Sequence, residues 1–285
     1  MQTQPQLYER FRALHERAGG FIMPNPWDGA SALLLKGAGF EALGTSSAAL
    51  ALSLGRMDGR HAVSRDEHLA HARLLVRLTG IPINGDLEDG FGPAPGDVEA
   101  TVEAAIDAGL AGVGIEDTTA NPDAPIHAFD DAVARVKAAA RVARGRIVLT
   151  GRTDNYLHGR ADLGDTIRRL TAFADVGADV LYAPYPTDMD AVRAIVRAVA
   201  PKPVNLVVGT MQGAVPWAEL QAAGVKRLSL GAALYTRVMG NLAQAARELL
   251  AGDLAAGSGQ APSTSSGMRF GALQEQVLAA TAAPR

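Results

Sequence analysis

Apolar runs of strand length recur eight times along this chain, and a stretch with helical periodicity follows each one. The runs are 20–25, 40–46, 81–87, 112–116, 147–152, 180–185, 204–208 and 227–230. The helical stretches are 27–36, 65–78, 97–108, 129–144, 162–176, 189–199, 215–223 and 234–251. Strand followed by helix, repeated, means parallel strands joined by helical crossovers. Eight such units over about 250 residues predict an α/β chain folded as a (β/α)8 TIM-type barrel. A doubly wound sheet is the competing arrangement, but no Gly-x-Gly-x-x-Gly follows the first run. The 48% hydrophobic content is ample for a core, and the low aromatic share, 5%, suits close helix–strand packing.

The barrel pattern occupies residues 1–252, including a last helix at 234–251. Residues 253–267 then read as a Gly/Ser-rich linker, and 268–285 as a tail carrying one more helix. Such a tail is either a solvated end or an arm that packs on a neighbouring subunit. A net charge of −3 argues against nucleic acid or a membrane surface as partner. The chain has no cysteine, which excludes disulfides, thiolate zinc sites and a cysteine nucleophile. It has no apolar run of membrane-spanning length, and the first ten residues carry no signal-peptide core. A cytoplasmic protein is the expectation.

A barrel places its chemistry where the strands end, and polar residues collect there. The runs end in Asn25-Pro-Trp27-Asp28, Gly44-Thr-Ser46-Ser47, Asp86-Leu-Glu88-Asp89-Gly90-Phe-Gly92, Ile115-Glu116-Asp117 and Gly151-Arg152-Thr-Asp154, and the seventh carries Asn205. On extended backbone the acids at i and i+2, Asp86 and Glu88, point to one side. Two converging carboxylates repel unless a cation lies between them, and a hard ion such as Mg²⁺ takes oxygen ligands. A solvated acidic turn capping the next helix is the alternative. Ser46 and Ser47 read either as helix caps or as part of a carboxylate-binding helix start. Arg152 reads as an ion-pair partner of Asp154 or Glu116, or as a clamp on a substrate carboxylate. Asp58 reads as a turn residue or a site residue. His61, His68, His71 and His127 match no zinc spacing and read as surface residues.

Together, and in this order, these motifs over roughly residues 20–250 resemble the isocitrate lyase/phosphoenolpyruvate mutase superfamily. The resemblance implies an (α/β)8 barrel, Mg²⁺ (or Mn²⁺) and a 2-oxo acid or its enolate. It implies that Asp86 ligates the metal directly, while Asp58, Glu88 and Glu116 hold metal-bound waters. Ser46, Ser47, Ala48, Arg152 and Asn205 would bind substrate, with Trp27 and Asp86 counted beside them, and Arg152, Glu116 and Asp58 would carry the catalysis. It also implies a homotetramer, a dimer of dimers with C-terminal helices exchanged between neighbours.

The chain departs from the superfamily's lyases in one loop. Where they carry Lys-Lys-Cys-Gly-His or Lys-Arg-Cys-Gly-His, residues 118–127 read Thr-Thr-Ala-Asn-Pro-Asp-Ala-Pro-Ile-His, with neither cysteine nor lysine. The activity expected is therefore a Mg²⁺-dependent carbon–carbon lyase on a small 2-oxo dicarboxylate, oxaloacetate-type decarboxylation first and retro-aldol or retro-Claisen cleavage of a related acid second, working through a metal-stabilised enolate. The alternatives are isocitrate or 2-methylisocitrate cleavage, phosphonopyruvate-type P–C chemistry, and a non-catalytic 2-oxo acid binder. A further alternative is a phosphate site at Gly209-Thr210 and Gly231-Ala232.

Overall fold

All eight strands form, and every pairing between them is parallel. The structure is a computed structural model that describes residues 2–209, 215–254 and 270–282. The strands are β1 (Phe21–Met23), β2 (Leu43–Gly44), β3 (Ile83–Asp86), β4 (Gly112–Glu116), β5 (Val148–Arg152), β6 (Val180–Tyr182), β7 (Val204–Val207) and β8 (Val225–Ser229). Their order, β1-β8-β7-β6-β5-β4-β3-β2, runs round a (β/α)8 barrel with its seam between β1 and β2. Two bonds close that seam. The Gly44 amide donates to the Pro24 carbonyl (3.0 Å) and the Asn25 carboxamide donates to the Thr45 carbonyl (2.7 Å). Gly44 leaves room for the seam, since a Cβ there would lie 2.9 Å from Met23 Cε and 3.0 Å from Asn25 Nδ2 and would push those side chains aside.

The helices are α1 (Gln4–Glu16), α2 (Gly29–Gly37), α3 (Ser47–Ser53), α4 (Arg65–Thr79), α5 (Pro95–Asp107), α6 (Phe129–Ala143), α7 (Leu163–Asp175), α8 (Met189–Val199), α9 (Trp217–Ala222), α10 (Ala233–Leu250) and α11 (Phe270–Ala282). Side-chain caps start several of them where the chain leaves a strand or loop. Asp28 accepts from the Ser31 amide, Ser46 from Ala49, Ser64 from Glu67, and Asp188 from Ala191. The sequence reading missed α1 and α3. With only seven residues, α3 is too short to show a period.

Strand alternation divides the core in two. Ile83, Val113, Ile115, Leu149, Leu181, Leu206 and Leu228 join the apolar layer shared with the surrounding helices. The inward positions are different. At the N-terminal end of the barrel Phe21, Met23, Val148 and Val180 meet Leu7, Phe11 and Leu14 of α1. This helix plugs that end, pinned by Gln4, which donates to the Leu110 and Arg146 carbonyls at 2.9 Å each. Further up, the inward residues become polar. They are Asn84 and Asp86, Thr150 and Arg152, Tyr182, Asn205, and Arg227 and Ser229, all lining one cavity.

At the other end of the chain α10 buries only Tyr235 and leaves Val238, Leu242, Leu249 and Leu250 exposed. The tail helix α11 packs on α2 and α4. The expected linker, 253–267, lies outside the described residues except for Asp253 and Leu254. Among the described residues no helix is long and apolar enough to cross a membrane.

Candidate active site

The cavity, about 180 Å³, opens at the C-terminal ends of the strands. Asp86 is the last residue of β3. Its Oδ2 accepts from the Ser47 amide (2.9 Å) and the Ser47 hydroxyl (3.1 Å), while its own amide donates to Thr45 Oγ1 (2.8 Å). Ser46 caps α3 through its hydroxyl and lines the cavity together with Ser47 and Ala48. The capping reading and the site reading of this turn thus hold together, and the Ser47 amide serves Asp86.

Arg152, at the end of β5, is surrounded by carboxylates. Its Nη1 lies 2.9 Å from Glu116 and 3.9 Å from Asp86, and its Nε donates to Asp154 Oδ1 (2.7 Å). Both ion pairs open from sequence are made, in a residue that also lines the cavity. Burial works against the guanidinium charge, but Asp154, Glu116 and Asp86 hold its pKa well above the usual range. Glu116 is pushed up by burial, with Asp154, Asp86 and Asp58 adding to the rise. Asp58 stands in the cavity wall on an exposed loop. Desolvation there, reinforced by Asp86, raises its pKa to about 6.

Glu88 departs from the expected geometry. Its φ is +49°, so the extended alternation ends before it. The side chain turns towards His68 (3.3 Å) and His61 (3.6 Å) and does not line the cavity beside Asp86. The reading of the histidines as surface residues is corrected with it. His68 is 2% exposed, and His61 and His127 grip Asp89 at 2.9 and 3.1 Å. Burial opposes the Asp89 charge, but these imidazoles and Arg135 outweigh it and hold its pKa well below the carboxylate range. Asp89 thereby ties the loop carrying Asp58 and the base of the 118–127 loop to the end of β3. That second loop is a short hairpin, with Thr118 bridged to Ile126 and the His127 amide donating to the Asp117 carbonyl (2.8 Å).

Trp27 lies outside the cavity wall, its ring edge-on to Tyr235 at 5.4 Å. Asn205 lines the cavity with both ends of its amide engaged, by Arg227 and Ser229. In the alternative phosphate site, Lys226 turns away to the Arg17 and Gly19 carbonyls, and Thr210 is outside the described residues.

Sequence reasoning missed Asn84, Thr150, Tyr182 and Arg227, which line the cavity, and Asp89, which positions its loops. The parity of β8, with Arg227 and Ser229 on one face, was the available signal.

Among the described residues, no three Asp, Glu or His side chains are spaced to hold a metal directly. The donor set still fits a hard divalent ion. Asp86, Glu116 and Asp154 face a single arginine and Asp58 adds a fourth carboxylate in the cavity wall, leaving negative charge in excess, and Mg²⁺ is held by one or two carboxylates and several waters.

A family profile described as phosphoenolpyruvate phosphomutase matches residues 11–250. The chain belongs to this family. Family relatives carry several activities in their names. An uncharacterized protein of Mycobacterium tuberculosis is 33% identical over 85% of this chain and 90% of its own length. An oxaloacetate decarboxylase of Paraburkholderia xenovorans is 32% identical over 78% of this chain and 75% of its own. A crystal structure from Burkholderia cenocepacia, described as a lyase/mutase, superposes with a TM-score of 0.88 at 45% identity, covering 99% of this chain and 97% of the other. Other family relatives are named as 2-methylisocitrate lyases and a carboxyphosphonate mutase, so the family comprises lyases and mutases.

Proposed function

We propose that this family member is a Mg²⁺-dependent carbon–carbon lyase acting on a small 2-oxo dicarboxylate, with oxaloacetate-type cleavage as its reaction. The observation that carries this reading is the excess of carboxylate around Arg152 at the mouth of a cavity of about 180 Å³, together with a 118–127 loop that has neither cysteine nor lysine. Asp86 would hold the ion directly, with Asp58 and Glu116 reached through its waters, while Glu88, turned to His68 and His61, stays outside this set. When bound, Mg²⁺ supplies Lewis acidity that stabilises negative charge developing on a 2-oxo group.

The residues of the chain do the rest. Arg152 is fixed by Glu116 and Asp154, so its remaining N–H groups are pre-oriented for an incoming carboxylate. Ser46, Ser47 and Ala48 form another part of the wall. Bond cleavage leaves its electron pair on the 2-oxo fragment as an enolate, and a solvent proton completes the product. No cysteine or lysine stands on the 118–127 loop to deliver that proton, which favours decarboxylation over cleavage that needs a dedicated protein acid. The exposed apolar residues of α10 support a homo-oligomer in which this helix packs on a neighbouring subunit.

The test is pyruvate release from oxaloacetate with and without Mg²⁺, corrected for the metal-only rate. Release by the wild type that is lost in Asp86→Ala is the expected result. No release above the metal-only rate would reject the reading and leave a non-catalytic 2-oxo acid binder.

A further inference from the structure

The arginines of this protein's interior are not equivalent. Arg152 pairs with Glu116 and Asp154, Arg135 with Asp89, and Arg169 with Asp117 and Asp165. Arg227, on β8, is 2% exposed and has only neutral partners. Its Nε donates to Asn205 Oδ1 (2.8 Å) and its Nη2 to Thr150 Oγ1 (3.0 Å). Its Nη1 faces His15 Nε2 at 3.3 Å. The other ring nitrogen of His15 bonds the Phe11 carbonyl (2.9 Å), and burial beside Arg227 lowers the imidazole pKa to about 3, so this contact is neutral as well. Burial also lowers the guanidinium pKa, to about 9, which leaves it a cation at neutral pH.

A desolvated cation without a counter-charge is costly, and buried charges are ordinarily paired. Arg227 lines the cavity, and so does Asn84, whose side-chain oxygen is buried with no hydrogen-bond partner. The geometry places this pair below the acidic mouth. Arg227 bonds Thr150, and Arg152 stands two residues further along the same strand on the same face, about 6–7 Å away. The cavity is therefore acidic at its mouth and cationic at its floor.

We propose that Arg227, together with Asn205, is the binding site for the second carboxylate of the substrate, at the floor of the cavity. This deepens the 2-oxo dicarboxylate reading above and rests on it. One end of the substrate meets the acidic mouth and Arg152. The other supplies the counter-charge Arg227 lacks, bound by guanidinium N–H groups not used on Asn205, Thr150 and His15. Arg227 thus selects dicarboxylates over monocarboxylates of the same length.

Isothermal titration calorimetry in Mg²⁺ buffer with malate and with 2-hydroxybutanoate tests this, since these four-carbon 2-hydroxy acids differ only in the second carboxylate. The wild type is expected to bind malate roughly 10- to 100-fold more tightly, the range for a hydrogen bond to a charged group. In Arg227→Met that preference should collapse to about threefold or less, with 2-hydroxybutanoate binding unchanged, while Arg227→Lys should retain part of it. Equal affinities in the wild type would overturn the floor site and leave the lyase reading standing. Binding of neither acid would overturn both. A malate preference that survives in Arg227→Met would also overturn it. If the Met variant fails to fold, Arg227→Lys carries the test, and a malate preference there equal to that of the wild type would overturn the floor site.

Discussion

The two ends of the barrel solve opposite problems with the same strands. At the C-terminal end, Asp86, Glu116 and Asp154 crowd one arginine with Asp58 in the same cavity wall, and Asp58 and Glu116 are pushed up in pKa. At the N-terminal end, α1 seals the barrel with Phe11, fully buried, and His15 is kept neutral beneath an arginine that has no carboxylate. One end is left electrostatically unfinished and open to solvent, and the other is packed shut. Stability should therefore reside in the lower end and activity in the upper.

The largest effect should come from breaking the plug. Phe11→Ala removes a ring that contacts His15 and Phe21 at 4.7 and 6.2 Å between centroids. A loss of about 3–5 kcal/mol is expected from truncating a buried phenylalanine, measurable by denaturant unfolding. Asp86→Ala should do the reverse. A fall of about 10²–10³-fold in Mg²⁺-dependent turnover is expected, comparable to the loss of one preorganised electrostatic group. Its unfolding free energy should hold or rise, because the variant relieves repulsion with Asp58; a large loss of stability would mean that Asp86 belongs to the scaffold.

Arg152→Lys keeps the charge but loses the planar fork that bonds Asp154 while facing Glu116. Steady-state kinetics should show roughly a 10- to 100-fold drop in kcat/KM, in line with one lost charged hydrogen bond. Unchanged kinetics would remove Arg152 from substrate binding.

The smallest effect is a pH dependence at the sealed end. His15 has a folded pKa of about 3 against about 6.5 when unfolded. Between those values the unfolded chain binds a proton that the folded chain does not. Stability is thus undiminished above pH 6.5 and falls as the pH drops towards 3, by at most about 1.4 kcal/mol per pH unit from this group. His15→Gln should flatten that slope relative to the wild type in urea titrations, and parallel slopes would show that His15 is already protonated in the folded state.

The βα repeat alone determined the barrel, because a period of alternating strand and helix admits few packings, and it put the polar motifs at the strand ends. The chain's own residues also marked Asp86, Glu116, Arg152, Ser46 and Ser47 before any coordinates. What sequence could not determine lay in turns and in parity. The left-handed backbone at Glu88 sends its carboxylate to His68 and His61, which no spacing rule for extended chain foresees. Asp89 became a hub only when loops 28 and 38 residues away folded onto it. Arg227 looked like the edge of an apolar run until the β8 register turned it inward. Local pattern fixes which elements form, since periodicity is set by neighbours in sequence. Which charges meet, and which are left without partners, is decided by strand register and by loops that fold across the barrel mouth.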